Sequence, residues 1–343
     1  MNSASLDGRD VLVTGATGFV GRHLVRTLAE TSGARMRLVS RSAAPDEPAA
    51  AARGRSCFVQ ADLIDPEAPA GLCDGIDTVF HAAAVMPGQP GKPPSLEDYR
   101  RVNVDATLRL ATAAAGAGVR RFVFVSSTAA MGAPALPVVD ETTPCRPSSP
   151  YEVTKRLAEE GLLELGRQSG LEVAIVRPCL IAGEGQHGGV LLKLFKLARK
   201  GMFPVFSGRL DVQKPLVDVE DVARALMLAA VAGPAGEIYL VTSGVRHTLG
   251  EMLAVAGRLT GNPRPYRSIP LPLARVAAFA TTPLARLLGR EPPLSPGRLD
   301  LFLADRAIDI GKARRELGYS PVLRDLASML GRTYAWYGMT GQL

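Results

Sequence analysis

Short apolar runs alternate with longer stretches of helical spacing along the first half of this chain. Val11-Leu12-Val13 ends at a glycine-rich turn, and Gly21 to Glu30 then reads as a helix. Met36-Arg37-Leu38-Val39, Cys57-Phe58-Val59 and Thr78-Val79-Phe80 follow as strand-like runs. A helix spanning Leu96 to Ala117 precedes Phe122-Val123-Phe124-Val125, and one spanning Pro150 to Ser169 precedes Val173-Ala174-Ile175-Val176. This repeated β-then-α order predicts an α/β protein with a parallel sheet and helices on both faces. Right-handed crossovers make such a sheet doubly wound.

After Pro178 the rhythm loosens. Gly, Pro and basic residues dominate from Gly183 to Pro215. Asp218-Val219-Glu220-Asp221 then opens a helix, and Glu237 to Thr242 reads as a strand. Both are expected to return to the main sheet. The expected division is residues 1–182 plus 215–245 as the sheet domain, with 183–214 and 246–343 as a smaller, mostly helical C-terminal substrate lobe. An Ala/Pro-rich loop lies near 43–52. The late apolar stretch from Leu271 to Leu288 is broken by Arg275, Pro283 and Arg286. It is too interrupted to span a bilayer, and core packing is its default.

Composition narrows the picture. The 343 residues are 47% hydrophobic, enough for a sizeable core, and 35 glycines suit many tight strand-to-helix turns. The net charge of +7 is scattered, with no long Lys/Arg run, so a nucleic-acid surface is not expected. Cys57, Cys73, Cys145 and Cys179 form no C-x-x-C or His/Cys cluster, which argues against a metal site and disulfides and for buried or half-buried free thiols. The opening MNSASLDGRD has no apolar signal core, so a cytoplasmic location is expected.

The first strand runs into Thr14-Gly15-Ala16-Thr17-Gly18-Phe19-Val20-Gly21. Glycines there allow a tight turn and close approach of a pyrophosphate, and the following helix points its free N–H groups at that phosphate. The spacing is G-x-x-G-x-x-G rather than G-x-G-x-x-G, but its place at the first β–α junction favours a dinucleotide. Where such folds often carry an acid for the ribose 2′-hydroxyl, this chain has Arg41 between Ser40 and Ser42. A guanidinium suits a 2′-phosphate, so NADP(H) is favoured over NAD(H).

Ser148-Ser149-Pro150-Tyr151-Glu152-Val153-Thr154-Lys155 opens a helix. Ser149 and Glu152 have capping-box spacing, and Pro150 suits the first helical position. Tyr151 and Lys155 fall four apart on one face. A nearby ammonium is expected to lower the phenol's pKa and equip Tyr151 to exchange a proton with a substrate oxygen. Upstream, a buried strand ends in Ser126-Ser127-Thr128, at the sheet edge where such folds bind ligands.

Taken in order, these motifs resemble the extended short-chain dehydrogenase/reductases, the Rossmann-fold family that includes nucleotide-sugar epimerases and dehydratases, 3β-hydroxysteroid dehydrogenases and ketone reductases. The resemblance covers nearly the whole chain. It adds Asp62-Leu63, His81-Ala82-Ala83-Ala84, Asn103-Val104-Asp105-Ala106-Thr107, Ser126 to Gly132, Arg177-Pro178 and Lys312 to Pro321 to the motifs above. It implies Ser127, Tyr151 and Lys155 as catalytic residues. For the cofactor it implies the turn residues Gly15, Thr17, Gly18, Phe19, Val20 and Gly21, with Asp62 and Leu63 at the adenine. Ala82, Ala83 and Ala84 would line the pyrophosphate path. Val125, Tyr151, Lys155, Pro178 and Leu180 would lie around the nicotinamide and its ribose. Asn103 would hold a helix kink or a water. Homodimers through the helices near 97–117 and 150–168 are implied as well.

The resemblance narrows the substrate less far. Sugar-nucleotide relatives often carry an Asn after the Arg177 strand and an Arg near Gln213-Lys214. This chain has neither, and Lys lacks the bidentate fork. Ala129 and Ala130 stand where dehydratases have an Asp-Glu pair. Pro270 to Leu288 is apolar, and Asp305-Arg306-Ala307-Ile308-Asp309 looks like the steroid-dehydrogenase branch. An apolar secondary alcohol or ketone is therefore favoured. A nucleotide-sugar 4-epimerase or 4-ketoreductase is the alternative, and a non-catalytic cofactor-binding protein is the third reading.

Overall fold

The computed structural model describes residues 5–42, 54–88, 93–134, 136–287, 299 and 302–343, with the side chains of 282–287 excepted. The Ala/Pro-rich loop near 43–52 lies outside these residues.

Seven parallel strands form the main sheet. They are β1 (Asp10–Thr14), β2 (Arg35–Ser40), β3 (Ser56–Gln60), β4 (Thr78–His81), β5 (Arg121–Val125), β7 (Glu172–Pro178) and β11 (Glu237–Val241). The spatial order is β3-β2-β1-β4-β5-β7-β11. Strands β1 to β3 therefore run one way from the centre and β4 onward the other. The order reverses between β1 and β4, which opens a crevice at their carboxyl ends.

Alternate strand residues feed two cores, as a sheet covered on both faces requires. Val11, Val13, Val123 and Val176 pack with Leu24 and Leu28 of α1 (Phe19–Thr31) and Val222 and Leu226 of α6 (Val219–Val231). Leu12, Phe122, Phe124 and Ile175 pack on the other face with Leu110 of α3 (Ala106–Gly116) and Ala158 and Leu162 of α4 (Pro150–Ser169). As expected, α6 and β11 return to this body.

The helix expected over Leu96 to Ala117 is not one regular helix. It starts as α2 (Leu96–Arg100), loosens into a π-helical turn over Arg101–Asp105, then continues as α3. Within that turn the Asn103 side chain clamps the Val85 backbone: Oδ1 accepts from Val85 N at 2.8 Å and Nδ2 donates to Val85 O at 3.1 Å. Bulges of this kind are frequent at functional sites.

Beyond β7, β8 (Leu180–Ala182) pairs with β10 (Leu216–Asp218) outside the main sheet. A third core joins Leu194 and Phe195 of α5 (Gly189–Arg199), Leu253 of α7 (Leu249–Thr260) and Met329 and Leu330 of α10 (Leu326–Met339). Strand β9 (Phe203–Phe206) pairs with β12 (Tyr266–Ile269), and β13 (Ala307–Ile308) pairs with β6 (Val138–Val139). The helix α9 (Gly311–Leu317) packs back on the sheet body through Ala313 and Leu317.

Two expectations from the sequence change here. The apolar helix α8 (Leu271–Leu287) is only half packed: Ala274 and Ala278 face inward, while Leu273, Val276 and Phe279 are 61%, 66% and 68% exposed. Small residues occupy its inner face and large ones its outer face, so hydropathy alone misjudges it. Cys57 is exposed on the edge strand β3, whereas Cys73 and Cys179 are buried. Among the described residues no helix is long and apolar enough to cross a membrane, and no group of three or more His, Cys, Asp or Glu is placed to hold a metal ion.

Candidate active site

The carboxyl ends of β1, β2, β4, β5 and β7 bring the sequence motifs to one edge of the sheet. Gly15 turns there with φ +65, a conformation that favours glycine, and a Cβ would lie 2.7 Å from the Ala83 nitrogen and 2.9 Å from the Ala82 carbonyl carbon. At Gly21 a Cβ would lie 2.1 Å from the Gly15 carbonyl oxygen. The turn and the β4 exit are thus in backbone contact across the switch point. Helix α1 begins at Gly18 with no side-chain cap, which leaves its first N–H groups for an anion. This uncapped helix end and the Gly15 cradle fit a dinucleotide pyrophosphate.

Ser40 ends β2 beside this turn, with its hydroxyl 2.7 Å from Thr17 Oγ1 and 3.1 Å from Ser42 Oγ. Arg41 is exposed next to it, its carbonyl accepting from Gln60 Nε2 at 2.9 Å. Asp62 caps a turn through Ile64 N, and the Leu63 carbonyl is held by Arg109 at 3.0 Å. Arg22 had no sequence signal. Its guanidinium donates to the Thr17 carbonyl at 2.8 Å and the Gly18 carbonyl at 3.3 Å, bracing the glycine turn.

A buried hydrogen-bond chain underlies the switch point. Thr107 Oγ1 donates to the Asn103 carbonyl at 3.0 Å, so its oxygen accepts from His81 Nε2 at 2.9 Å. His81 Nδ1 then accepts from Thr14 Oγ1 at 2.7 Å, and Thr14 accepts from Ala83 N at 3.4 Å. Burial, helped by the Lys155 charge, pushes His81 down to about 3, so the imidazole is neutral and its tautomer is set.

Helix α4 forms as its sequence predicts. Ser149 caps α4, Glu152 reciprocates, and Pro150 takes the first position. Tyr151 and Lys155 are both buried. Lys155 Nζ donates to the Val125 carbonyl at 2.8 Å and lies 4.6 Å over the Phe124 ring. Burial pulls its pKa down to about 8, while Glu159 pulls it up. Ser127 begins the 3₁₀ turn Thr128–Met131, its Oγ accepting from Ala129 N at 3.1 Å.

The phenol differs from expectation. Burial drives the Tyr151 pKa up, and the Ser127 hydroxyl pulls it the other way. The expected lowering by Lys155 is not seen, and burial dominates. Burial therefore keeps the Tyr151 phenol neutral. Its hydroxyl donates to Met86 Sδ at 3.1 Å, and its ring lies 6.0 Å from that of Tyr99. Met86 escaped sequence reading because it contacts Tyr151 only through the loop that Asn103 clamps.

Pro178 ends β7 and Leu180 opens β8, both on the same edge as Ser127. At the lobe, Lys214 Nζ donates to the Phe302 carbonyl at 2.6 Å and lies 5.2 Å over the Phe302 ring. Burial lowers its pKa to about 8. Arg306 donates to the Gly132 carbonyl at 2.7 Å, tying the segment before β13 to the turn after Ser127.

Residues 11–242 match the NAD dependent epimerase/dehydratase family. A "Sterol demethylase protein B" of Methylococcus capsulatus is 32% identical over 97% of this chain and 99% of its own. A "3 beta-hydroxysteroid dehydrogenase/Delta 5-->4-isomerase" of Mycobacterium tuberculosis is 33% identical over 94% of this chain and 89% of its own. Among solved structures, a dTDP-glucose 4,6-dehydratase (DesIV double mutant) from Streptomyces venezuelae, determined with NAD, superposes with a TM-score of 0.74 at 26% identity, over 96% of each chain.

Proposed function

This chain belongs to the NAD dependent epimerase/dehydratase family and is an enzyme of the extended short-chain dehydrogenase/reductase type, and from that premise we propose that it interconverts a secondary alcohol and a ketone on an apolar substrate. The observation that carries the reading is the placement of Ser127, Tyr151 and Lys155 on the carboxyl edge beside the glycine turn. Residues 183–214 and 246–343 are assigned to the substrate lobe, except residues 310–319, which pack in the sheet core.

When bound, a nicotinamide supplies or accepts the hydride. The chain's own residues do the rest. Ser127 and Tyr151 hold the substrate oxygen, and the phenol passes its proton to that oxygen during ketone reduction. In the reverse direction Tyr151 receives the proton. Lys155 places its positive charge beneath the site, against the Val125 carbonyl. Gly15, Thr17, Gly18, Phe19, Val20 and Gly21 seat the pyrophosphate, with Ala82, Ala83 and Ala84 alongside. Asp62 and Leu63 face the adenine, and Val125, Pro178 and Leu180 flank the nicotinamide.

Arg41, exposed at the end of β2, supports NADP(H) over NAD(H). Lys214 supports an apolar substrate over a nucleotide sugar: its ammonium is taken up by a carbonyl and an aromatic face instead of standing free for a phosphate. The steroid-dehydrogenase relative points the same way. A homodimer through α2, α3 and α4 is proposed with this function, supported by the exposed Leu157 on α4. We place the enzyme in the cytoplasm, where its free thiols stay reduced.

The test is a panel of apolar alcohols, apolar ketones and nucleotide sugars, run on the wild type and on Tyr151→Phe. Apolar ketone reduction that consumes NADPH is expected, with loss of about 10²- to 10⁴-fold in the variant. Cofactor affinity should stay near wild type. Full activity in Tyr151→Phe refutes the mechanism, and epimerisation of a nucleotide sugar without net cofactor turnover refutes the substrate class.

A further inference from the structure

Beneath the hydroxyls at the end of β5 lies a charged pair that the mechanism above does not use. The side chains of Arg177 and Glu159 are 1% and 0% exposed. Arg177 engages both carboxylate oxygens, Nε to Oε1 at 2.8 Å and Nη2 to Oε2 at 2.6 Å. Ser126 Oγ donates to Oε1 at 2.5 Å, and Arg156 adds a longer pair at 3.6 Å from the helix flank. The cluster joins α4, the end of β5 and the end of β7, the three elements that carry Tyr151, Ser127 and Pro178.

Stability is a poor reason to keep such a pair. Buried ion pairs are often no better than apolar residues of the same shape, because desolvation offsets the attraction. Here Arg177 Nη1 is buried with no hydrogen-bond partner among the described residues, which adds to the cost. The geometry around the pair supplies another reason. Lys155 sits one helical turn before Glu159 on α4. Lys155 grips the Val125 carbonyl and Glu159 grips the Ser126 hydroxyl. Consecutive turns of one helix thus hold the last residue of β5 and the residue after it, and Ser127 comes next.

We propose that Glu159 is a positioning residue for the reaction: held by Arg177, it clamps Ser126 so that Ser127 faces Tyr151, and it places a carboxylate on the helical turn after Lys155. This rests on the reading of Ser127, Tyr151 and Lys155 given above. The groups facing Lys155 are Tyr151 and Glu159 on α4, His81 on β4, and the Phe124 ring and Val125 carbonyl on β5. Tyr151 and His81 are neutral, so Glu159 is the anion that offsets burial of the amine.

The test uses the full chain with Glu159→Gln and Ser126→Ala. NADPH binding is followed by fluorescence across roughly pH 6 to 9, beside thermal melting and ketone turnover. Wild-type affinity should decline above about pH 8 as Lys155 loses its proton. In Glu159→Gln the decline should begin at least about one pH unit lower. Ser126→Ala leaves the ion pair whole, so it should keep the wild-type break while turnover falls roughly 10- to 100-fold. A Glu159→Gln break at the wild-type pH, no break in the wild type, or wild-type turnover in Ser126→Ala each overturns the proposal. Should Glu159→Gln fail to fold, Ser126→Ala decides. Should the wild type bind NADPH but turn over nothing in the panel, the alcohol–ketone reading fails, and the binding break alone judges Glu159.

Discussion

Acidification should loosen this protein through His81, and the size of the effect follows from its surroundings. The imidazole is fully enclosed between Thr14 and Thr107 and stacked on Phe124. Both nitrogens are already committed, so a second ring proton would have no acceptor. Its pKa falls from 6.5 to about 3 by burial and by the Lys155 charge. The folded state therefore holds His81 neutral where the unfolded chain would protonate it. Because the folded pKa is the lower one, this stability is fully present above 6.5 and is lost as pH falls toward about 3. At about pH 4.5 the loss is about 2.7 kcal/mol, two pH units at about 1.4 kcal/mol each. The assay is urea unfolding of the wild type and of His81→Asn across that range. The gap between them should shrink with acid by about 1.4 kcal/mol per pH unit. A gap independent of pH would refute the argument. Since the same chain of bonds supports Thr14, Ala83 and Asn103, NADPH affinity should weaken in parallel.

Two further substitutions probe the cofactor crevice. Gly15→Ala forces a side chain into the Ala82–Ala83 backbone from a positive-φ position, and neither can yield cheaply. It should cost about 2–4 kcal/mol in denaturant unfolding and abolish tight cofactor binding; wild-type stability would show that the turn and the β4 exit are not in contact. Arg41→Asp should weaken NADPH binding about 10- to 100-fold while sparing NADH, measured by fluorescence titration. An unchanged preference would remove Arg41 from the 2′-phosphate.

Local features were legible in the sequence because they depend on near neighbours. The apolar runs mark every strand of the main sheet. The Ser149–Glu152 box sets the start of α4 to the residue, and Tyr151 and Lys155 share its buried face. The glycine turn follows from φ and close approach at Gly15. Tertiary packing decided the rest. Asn103, in the π-helical turn, meets the Val85 backbone 18 residues before it. Lys155 turns to the Val125 carbonyl, and burial is the largest influence on the Tyr151 phenol. Met86 meets Tyr151, and Glu159 meets Ser126 and Arg177, only once β4, β5 and β7 are laid side by side. Periodicity and capping report forces within a few residues. Burial and charge at the site are sums over strands distant in sequence, and the assembled fold alone sets them.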